Sequence, residues 1–242
     1  MNLIKYLLVL LALLNTVNAS TINGTPFSCS QDSYLTTSKD LYSLDLNKGN
    51  HNTLKMDYTT DSINAIGYNV KDDFIWGWDL TQKKVVRIDA NYTTELFNTS
   101  VDTSEHDINI SSRNGFTSGD VSKDGILYLA KPSLDHKLHR FDLNSGVPIY
   151  LGSSVLSDNS IHFGDFAINP IDNYLYTTSN KILYRIDPSN ASIDNLGLIT
   201  GDLMAEDSGY FHSYVFDKDG NMYFYSNSNG KCYSLCASII KI

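Results

Sequence analysis

Leu41-Tyr42-Ser43-Leu44-Asp45, Val85-Val86-Arg87-Ile88-Asp89, Leu138-His139-Arg140-Phe141-Asp142 and Leu183-Tyr184-Arg185-Ile186-Asp187 are four versions of one short pattern. Each is an aliphatic-aromatic strand closed by an acid. A degenerate fifth version is Lys231-Cys232-Tyr233-Ser234-Leu235-Cys236. The closing acids stand roughly 44, 53 and 45 residues apart, a period typical of β-propeller blades. Asp at such a corner bonds its own downstream backbone, so these four acids read as turn caps.

A second pattern precedes each of these strands: Asp73-Phe74-Ile75-Trp76, Gly125-Ile126-Leu127-Tyr128, Asn173-Tyr174-Leu175-Tyr176 and Gly220-Asn221-Met222-Tyr223, with a weaker Ser33-Tyr34-Leu35-Thr36 in the first round. The residues leading into it are Lys71-Asp72-Asp73, Lys123-Asp124-Gly125, Ile171-Asp172-Asn173 and Lys218-Asp219-Gly220. Asp, Asn and Gly tolerate the positive φ that a tight hairpin demands. Ahead of each turn lies a further short strand: Ala65 to Asn69, Gly119 to Val121, Gly164 to Ala167 and Tyr214 to Phe216. An outer strand follows the closing acid: Thr53 to Tyr58, Thr93 to Asn98, Val147 to Leu151 and Ile193 to Leu198. Four antiparallel strands per round, in five rounds, predict an all-β chain folded as a single propeller of about five four-stranded blades. A sixth blade is the alternative, if Ser100 to Phe116 hides a degenerate repeat. A β-sandwich does not predict fivefold internal similarity. Thr21 to Ser28 have no blade of their own; they would supply a missing strand to the last blade or begin the first.

Residues 1–19 read as a signal peptide: one positive charge at Lys5, an apolar run from Tyr6 to Leu14, and Val17-Asn18-Ala19 with small residues at the cleavage site. The propeller then occupies residues 20–242. The expected location is extracellular, with no membrane association once the leader is cut. A net charge of −9 argues against nucleic acid, since phosphate binding needs clustered Lys and Arg. Acidic connectors (Asp102, Glu105 and Asp107; Asp158; Asp202, Glu206 and Asp207) would make one face of the ring negative. Five Asn-x-Ser/Thr sequons, at Asn23, Asn91, Asn98, Asn109 and Asn190, would carry glycans in a lumen that glycosylates. About four are expected by chance from such a composition. Three cysteines allow a clasp of Cys29 onto Cys236 or Cys232 across the meeting ends of the ring. Closing so long a loop stabilises by about 5 kcal/mol in the chain-entropy model.

Phe27-Ser28-Cys29, the Leu-Tyr-x-Leu-Asp strands, Ala65-Ile66-Gly67-Tyr68-Asn69, Gly164-Asp165-Phe166 and Lys218-Asp219-Gly220-Asn221-Met222-Tyr223 together resemble an uncharacterised propeller domain of secreted bacterial and eukaryotic surface proteins. That resemblance covers nearly the whole chain beyond residue 20 and implies a fold, not an activity. More distantly, Asp-Gly-Asn-x-Tyr and Tyr-x-Ile-Asp are similar to the NHL, YVTN and gluconolactonase-like propellers. Hydrolases among those hold a calcium ion in the central channel with Glu, Asn and Asp.

Against that background, Asp120 and Asp165 occupy equivalent places on innermost strands, with Tyr68 and Val215 as their counterparts. Two hard oxygen donors would begin a calcium site, which takes roughly six to eight; equally, each would accept hydrogen bonds from a neighbouring blade. No other cofactor is expected. His162 and His212 precede innermost strands and would lie near Asp165, an acid-base pair in principle. Trp76 and Trp78 face one side of a strand, either as inter-blade packing or as an exposed platform for sugars. No zinc-protease, phosphate-loop, serine-elbow or dinucleotide pattern occurs. The sequence therefore points to a non-catalytic extracellular module for a protein or glycan partner. Its alternatives are a calcium-dependent lactonase or esterase and a purely structural component.

Overall fold

The computed structural model describes residues 23–28, 33–37, 39–46, 48–98, 115–131, 136–199, 211–225 and 232–236. The described residues form eighteen strands in five antiparallel sheets. Blade 1 holds β1 (Ser33–Thr37), β2 (Asp40–Asp45) and β3 (Asn50–Lys55). Blade 2 holds β4 (Ile63–Asn69), β5 (Phe74–Asp79), β6 (Lys84–Ile88) and β7 (Thr94–Phe97). Blade 3 holds β8 (Ser118–Val121), β9 (Ile126–Ala130), β10 (Lys137–Asp142) and β11 (Ile149–Val155). Blade 4 holds β12 (Ala167–Ile168), β13 (Leu175–Ser179), β14 (Ile182–Ile186) and β15 (Ile193–Leu198). Blade 5 holds β16 (Ser213–Phe216), β17 (Met222–Tyr225) and β18 (Cys232–Leu235). In each sheet the strands pair in simple sequence order. The chain is a five-bladed β-propeller.

The turn chemistry explains the hairpins. Asp73, Gly125, Asn173 and Gly220, the third residues of the four expected turns, have φ of 59°, 76°, 66° and 80°. The residue that opens each turn holds it from inside. Lys71 N donates to Asn69 Oδ1 (3.1 Å), Ile171 N to Asn169 Oδ1 (2.9 Å) and Asp219 N to Asp217 Oδ1 (2.9 Å). At the closing corners, Asp45, Asp89, Asp142 and Asp187 each accept a backbone N–H two to four residues downstream.

Side chains on alternate strand positions fill the wedges between blades. Phe27, Leu41, Ile63, Ile75 and Val86 pack between blades 1 and 2. Trp76, Trp78, Leu127, Leu129 and Phe141 pack between blades 2 and 3. Tyr128, Phe163, Phe166 and Leu175 continue the series, and Phe211, Met222, Phe224 and Tyr233 close it against blade 5. A single blade leaves both faces bare, so each wedge exists only because neighbours stack.

The innermost strands approach too closely for side chains between them. A Cβ on Gly67 would press on the amide nitrogen of Val121 in blade 3; one on Gly119 would stand 2.7 Å from Ala65 O; one on Gly164, 2.6 Å from Phe211 O. Glycine is required at all three by space alone.

Three expectations about strands are corrected. The outer strand of blade 1 begins at Asn50 rather than Thr53, because Gly49 (φ 66°) turns the chain at once. The outer strand of blade 3 starts at Ile149, after Pro148, which has no N–H to give to a ladder, and runs on to Val155. Asn23 to Ser28, the described part of the N-terminal segment, serves neither the first blade nor the last. It straps the end of blade 2: Phe27 N donates to Asp73 O (2.8 Å), Ala90 N to Thr25 O (2.8 Å), Thr25 N to Asp89 Oδ2 (3.1 Å) and Arg87 Nη2 to Asn23 O (2.6 Å). Phe27 supplies the apolar anchor, its ring 5.1 Å from that of Tyr34. The stretch expected to hide a sixth blade lies mostly outside the described residues, as does the proposed leader.

The first strand of blade 1, β1, matches the second strand of the other blades in the repeat. Among the described residues this blade has no strand inside it, so Tyr34 and Leu35 face the axis directly.

Candidate ligand cavity at the propeller axis

A cavity of about 750 Å³ runs along the axis and is bounded by all five blades. Tyr34 and Thr36 come from β1, Asn64 and Tyr68 from β4, Asp120 from β8, Asp165 from the residues entering β12, and Ser213 and Tyr214 from β16. His212 lies at the start of β16 and reaches the same cavity. Asp45, Val70, Pro170 and Lys218, from the hairpin turns, rim the end where those turns gather.

The two aspartates are built into the wall. Asp120 Oδ1 accepts Val121 N (2.8 Å) and its Oδ2 accepts Ile168 N of blade 4 (2.8 Å). Asp165 Oδ1 accepts Phe166 N (2.8 Å) and Gly119 N of blade 3 (3.3 Å). The boundary between blades 3 and 4 is thus clasped in both directions, with Ser118 Oγ donating to Gly164 O (3.0 Å) beside them. These are the neighbouring-blade bonds that a buried acid needs.

Both carboxyls touch the lumen and are otherwise enclosed by protein. Burial pushes Asp120 up to about 7, against the lowering effect of its two N–H donors. Burial also raises Asp165 well above the usual carboxylate range, and the charge of Asp120 adds to it. Among the described residues neither carboxyl is hydrogen-bonded to a histidine or a hydroxyl.

Asp120, Asp165 and His212 therefore share one cavity. His162 does not: it is exposed, outside the cavity, with its ring 5.8 Å from that of His136. Trp76 and Trp78 are no platform for sugars. They are 0% and 1% exposed because alternate positions of β5 face the wedge between blades 2 and 3. Trp76 Nε1 donates to Asp72 Oδ2 (3.0 Å), and Trp78 meets Phe116 edge-on at 4.8 Å.

The tyrosines were the less visible part of the wall. Tyr34 stacks on Tyr68 across the blade 1–2 boundary, with ring centroids 5.8 Å apart and planes 26° apart. Tyr68 OH donates to Asp73 Oδ1 (2.7 Å). Tyr214 shares a 2.7 Å hydroxyl bond with Thr178 of blade 4, and burial raises it above the ordinary tyrosine range. The expected equivalence of Tyr68 with Asp120 is corrected by the register: Gly67 opposite Trp76 matches Asp120 opposite Tyr128, and Tyr68 opposite Ile75 matches Val121 opposite Leu127, because the blade 2 turn is one residue longer.

Among the described residues, no three His, Cys, Asp or Glu side chains gather where they could hold a metal ion. The Asp120–Asp165 pair alone supplies a fraction of a calcium shell. Cys232 and Cys236 carry free, exposed thiols, and burial raises the Cys232 thiol. Cys29 lies outside the described residues. The expected clasp of Cys29 onto Cys236 or Cys232 therefore rests on a residue outside the described ones. Asn23, Asn91, Asn98 and Asn190 are exposed, while Asn109 lies outside the described residues. Of the acidic connectors only Asp158 is described; it is exposed and accepts Ser160 N and Oγ. No helix among the described residues is long and apolar enough to cross a membrane.

Residues 28–235 match the family model described as a repeat of unknown function, DUF6923. The chain belongs to that family. A search of curated proteins finds no match. Solved structures share the architecture at low identity. A streptogramin B lyase is 12% identical, with a TM-score of 0.50 over 88% of this chain and 67% of its own. A chain of a nidogen/laminin complex is 11% identical, with a TM-score of 0.52 over 84% and 73%. A candidate gluconolactonase is 13% identical, with a TM-score of 0.51 over 84% and 69%. At such identities the likeness is one of fold, and the family brings a repeat with no activity attached.

Proposed function

We propose that this member of the family is a non-catalytic extracellular binding module that takes its ligand in the axial cavity. One observation carries the reading: the two carboxyls of the inner cavity wall among the described residues, Asp120 and Asp165, are spent on the backbone N–H groups of the blade 3–4 boundary. An acid-base catalyst needs a carboxyl or imidazole aimed at a reacting atom and free to exchange a proton with it. Here Asp120 and Asp165 hold the wall together, and His212 has neither as an orienting partner. The cavity is of a size typical of small-ligand sites, roughly 300–1,000 Å³, and it is lined by aromatic rings with a few convergent polar groups.

The test is a thermal-shift screen of the purified chain against glycans, small polar ligands and calcium, run beside lactone and ester hydrolysis assays. A ligand that binds the folded state alone raises the melting temperature. Binding without turnover supports the module. Calcium-dependent hydrolysis that disappears in Asp120→Asn or Asp165→Asn would replace it with the lactonase reading. Export is tested separately: N-terminal sequencing of protein from the medium is expected to begin at Ser20.

A further inference from the structure

The axial cavity has a charge that its own wall does not balance. Asp120 and Asp165 face it from adjacent blades, and among the described residues the lining contains no arginine and one lysine. That lysine, Lys218, bonds both carboxylate oxygens of Asp219, at 2.8 and 2.9 Å, out at the rim. The remaining rim carboxylates, Asp45 and Asp217, are likewise engaged. Asp45 pairs with Lys48 (3.0 Å), and Asp217 accepts Asn221 Nδ2 (2.8 Å) and the amides of Asp219 and Asn221. The inner pair has N–H dipoles and no cation. The same cavity presents tyrosine rings on three other blades: Tyr34 stacked on Tyr68, and Tyr214.

Two carboxyls and several tyrosine rings around one lumen are the chemistry that recognises an organic ammonium ion. The carboxylates supply counter-charge. The rings supply apolar contact and the electron-rich faces toward which such cations are drawn. A bare calcium ion is served less well, because it needs roughly six to eight oxygens and gains nothing from the rings.

We propose that the axial cavity binds a small protonated amine, with Asp120 and Asp165 as its counter-charge and Tyr34, Tyr68 and Tyr214 as its walls. This rests on reading the cavity as the ligand site. In the empty cavity a proton takes the place of the cation: Asp120 holds it up to about pH 7, because burial penalises the charged form. A bound ammonium favours the ionised carboxyl and expels that proton. Binding is therefore coupled to deprotonation and tightens as the pH rises. His212 also faces the lumen, and Tyr214 faces Asp165 from β16. His212→Asn therefore separates its titration from that of the pair.

The experiment is a titration of the purified chain with 1,4-diaminobutane at pH 6, 7 and 8. It is followed by calorimetry and by the backbone amide shifts of Gly119 and Ile168, which donate to Asp165 and Asp120. Tetramethylammonium, calcium chloride and glucose serve as comparison probes. The expected result is diamine binding that moves both amides and is about tenfold tighter at pH 8 than at pH 6, with a proton released. Asp165→Asn weakens it about tenfold, and Tyr34→Leu, which leaves the clasp intact, weakens it while preserving the pH dependence. Glucose moving these amides with no response to either amine overturns the inference and leaves the cavity as a ligand site. A response to calcium alone overturns it in favour of a metal. Silence toward every probe removes the cavity reading as well. Diamine binding unaffected by both variants places the amine elsewhere and refutes the assignment.

Discussion

Raising the pH from 5 to 9 will weaken this propeller, and the loss can be sized from Asp120. In the folded chain Asp120 keeps its proton up to about 7, against an ordinary aspartate value of 3.8. Between those values the folded state binds the proton and the unfolded state does not. The stabilisation is complete below the unfolded value and is lost as the pH climbs through the folded one. From pH 5 to the folded value is about 2 pH units, so Asp120 alone accounts for about 2.7 kcal/mol. Asp165, Asp72 and Asp79 are raised by burial too, so they push in the same direction. Asp158 and Asp217 are lowered by hydrogen bonds to their carboxylates, and their contribution is lost only in acid below this window. The assay is urea unfolding at unit pH intervals. The unfolding free energy should fall steadily from pH 5 and level off above pH 7 to 8. Asp120→Asn should flatten most of that slope whatever it does to the absolute value. Equal stability at pH 5 and pH 9 would refute the argument that these carboxyls are enclosed in the wall.

Gly67→Ala should cost about 1–3 kcal/mol, because the added methyl presses on the backbone of Val121 and Asp120. Gly49→Ala, at φ 66° with open space around it, should cost about 1 kcal/mol from backbone conformation alone; denaturant unfolding of both separates crowding from strain. Arg87→Met should cost about 2 kcal/mol, since it removes a buried guanidinium 4.5 Å above the Phe74 ring and its bonds to Asn23 O and Glu95. Hydrogen exchange at Ala90, whose amide bonds Thr25 O, should quicken in that variant. Tyr214→Phe should cost about 1–2 kcal/mol by leaving the buried Thr178 hydroxyl without its partner, read as a shift in the urea midpoint.

Much of the blade was legible in the sequence because its signals are local. Asp73, Gly125, Asn173 and Gly220 announce a hairpin through their own conformational tolerance, and the closing acids Asp89 and Asp187 bond backbone within a few residues. The second and third strands were placed to within a few residues for the same reason: turns at both ends bound them. What was not legible depends on residues far apart in the chain. The stacking of Tyr34 on Tyr68 joins two blades, and the strap of Asn23 to Ser28 reaches residues more than forty positions away. The need for glycine at 67 exists only because Asp120 and Val121 arrive from the next blade. At the site, the repeat pattern placed Asp120 and Tyr68 on inner strands, whereas Asp165 lies two residues ahead of β12, whose Ala167 is the position that matches Asp120. The pattern could not decide whether Trp76 and Trp78 looked into a wedge or into solvent, because the period-two alternation is identical in both cases. His162 and His212 precede equivalent strands, yet only His212 reaches the lumen.

The strap across blade 2 has a mechanical consequence. A pull on the chain ahead of Asn23 meets five bonds to blade 2 before any load passes to the three strands described for blade 1. Those bonds are spread over Asp73, Arg87, Asp89, Ala90 and Asn91, at the end of a complete four-stranded sheet whose Arg87 is locked among aromatic rings. Tension entering at the amino-terminal side is thus delivered to the second blade, and blade 1 is bypassed. If the chain is tethered through that end, the strain enters blade 2 beside the cavity wall, because Phe27 packs on Tyr34 and Tyr68 bonds the same Asp73 that holds the strap.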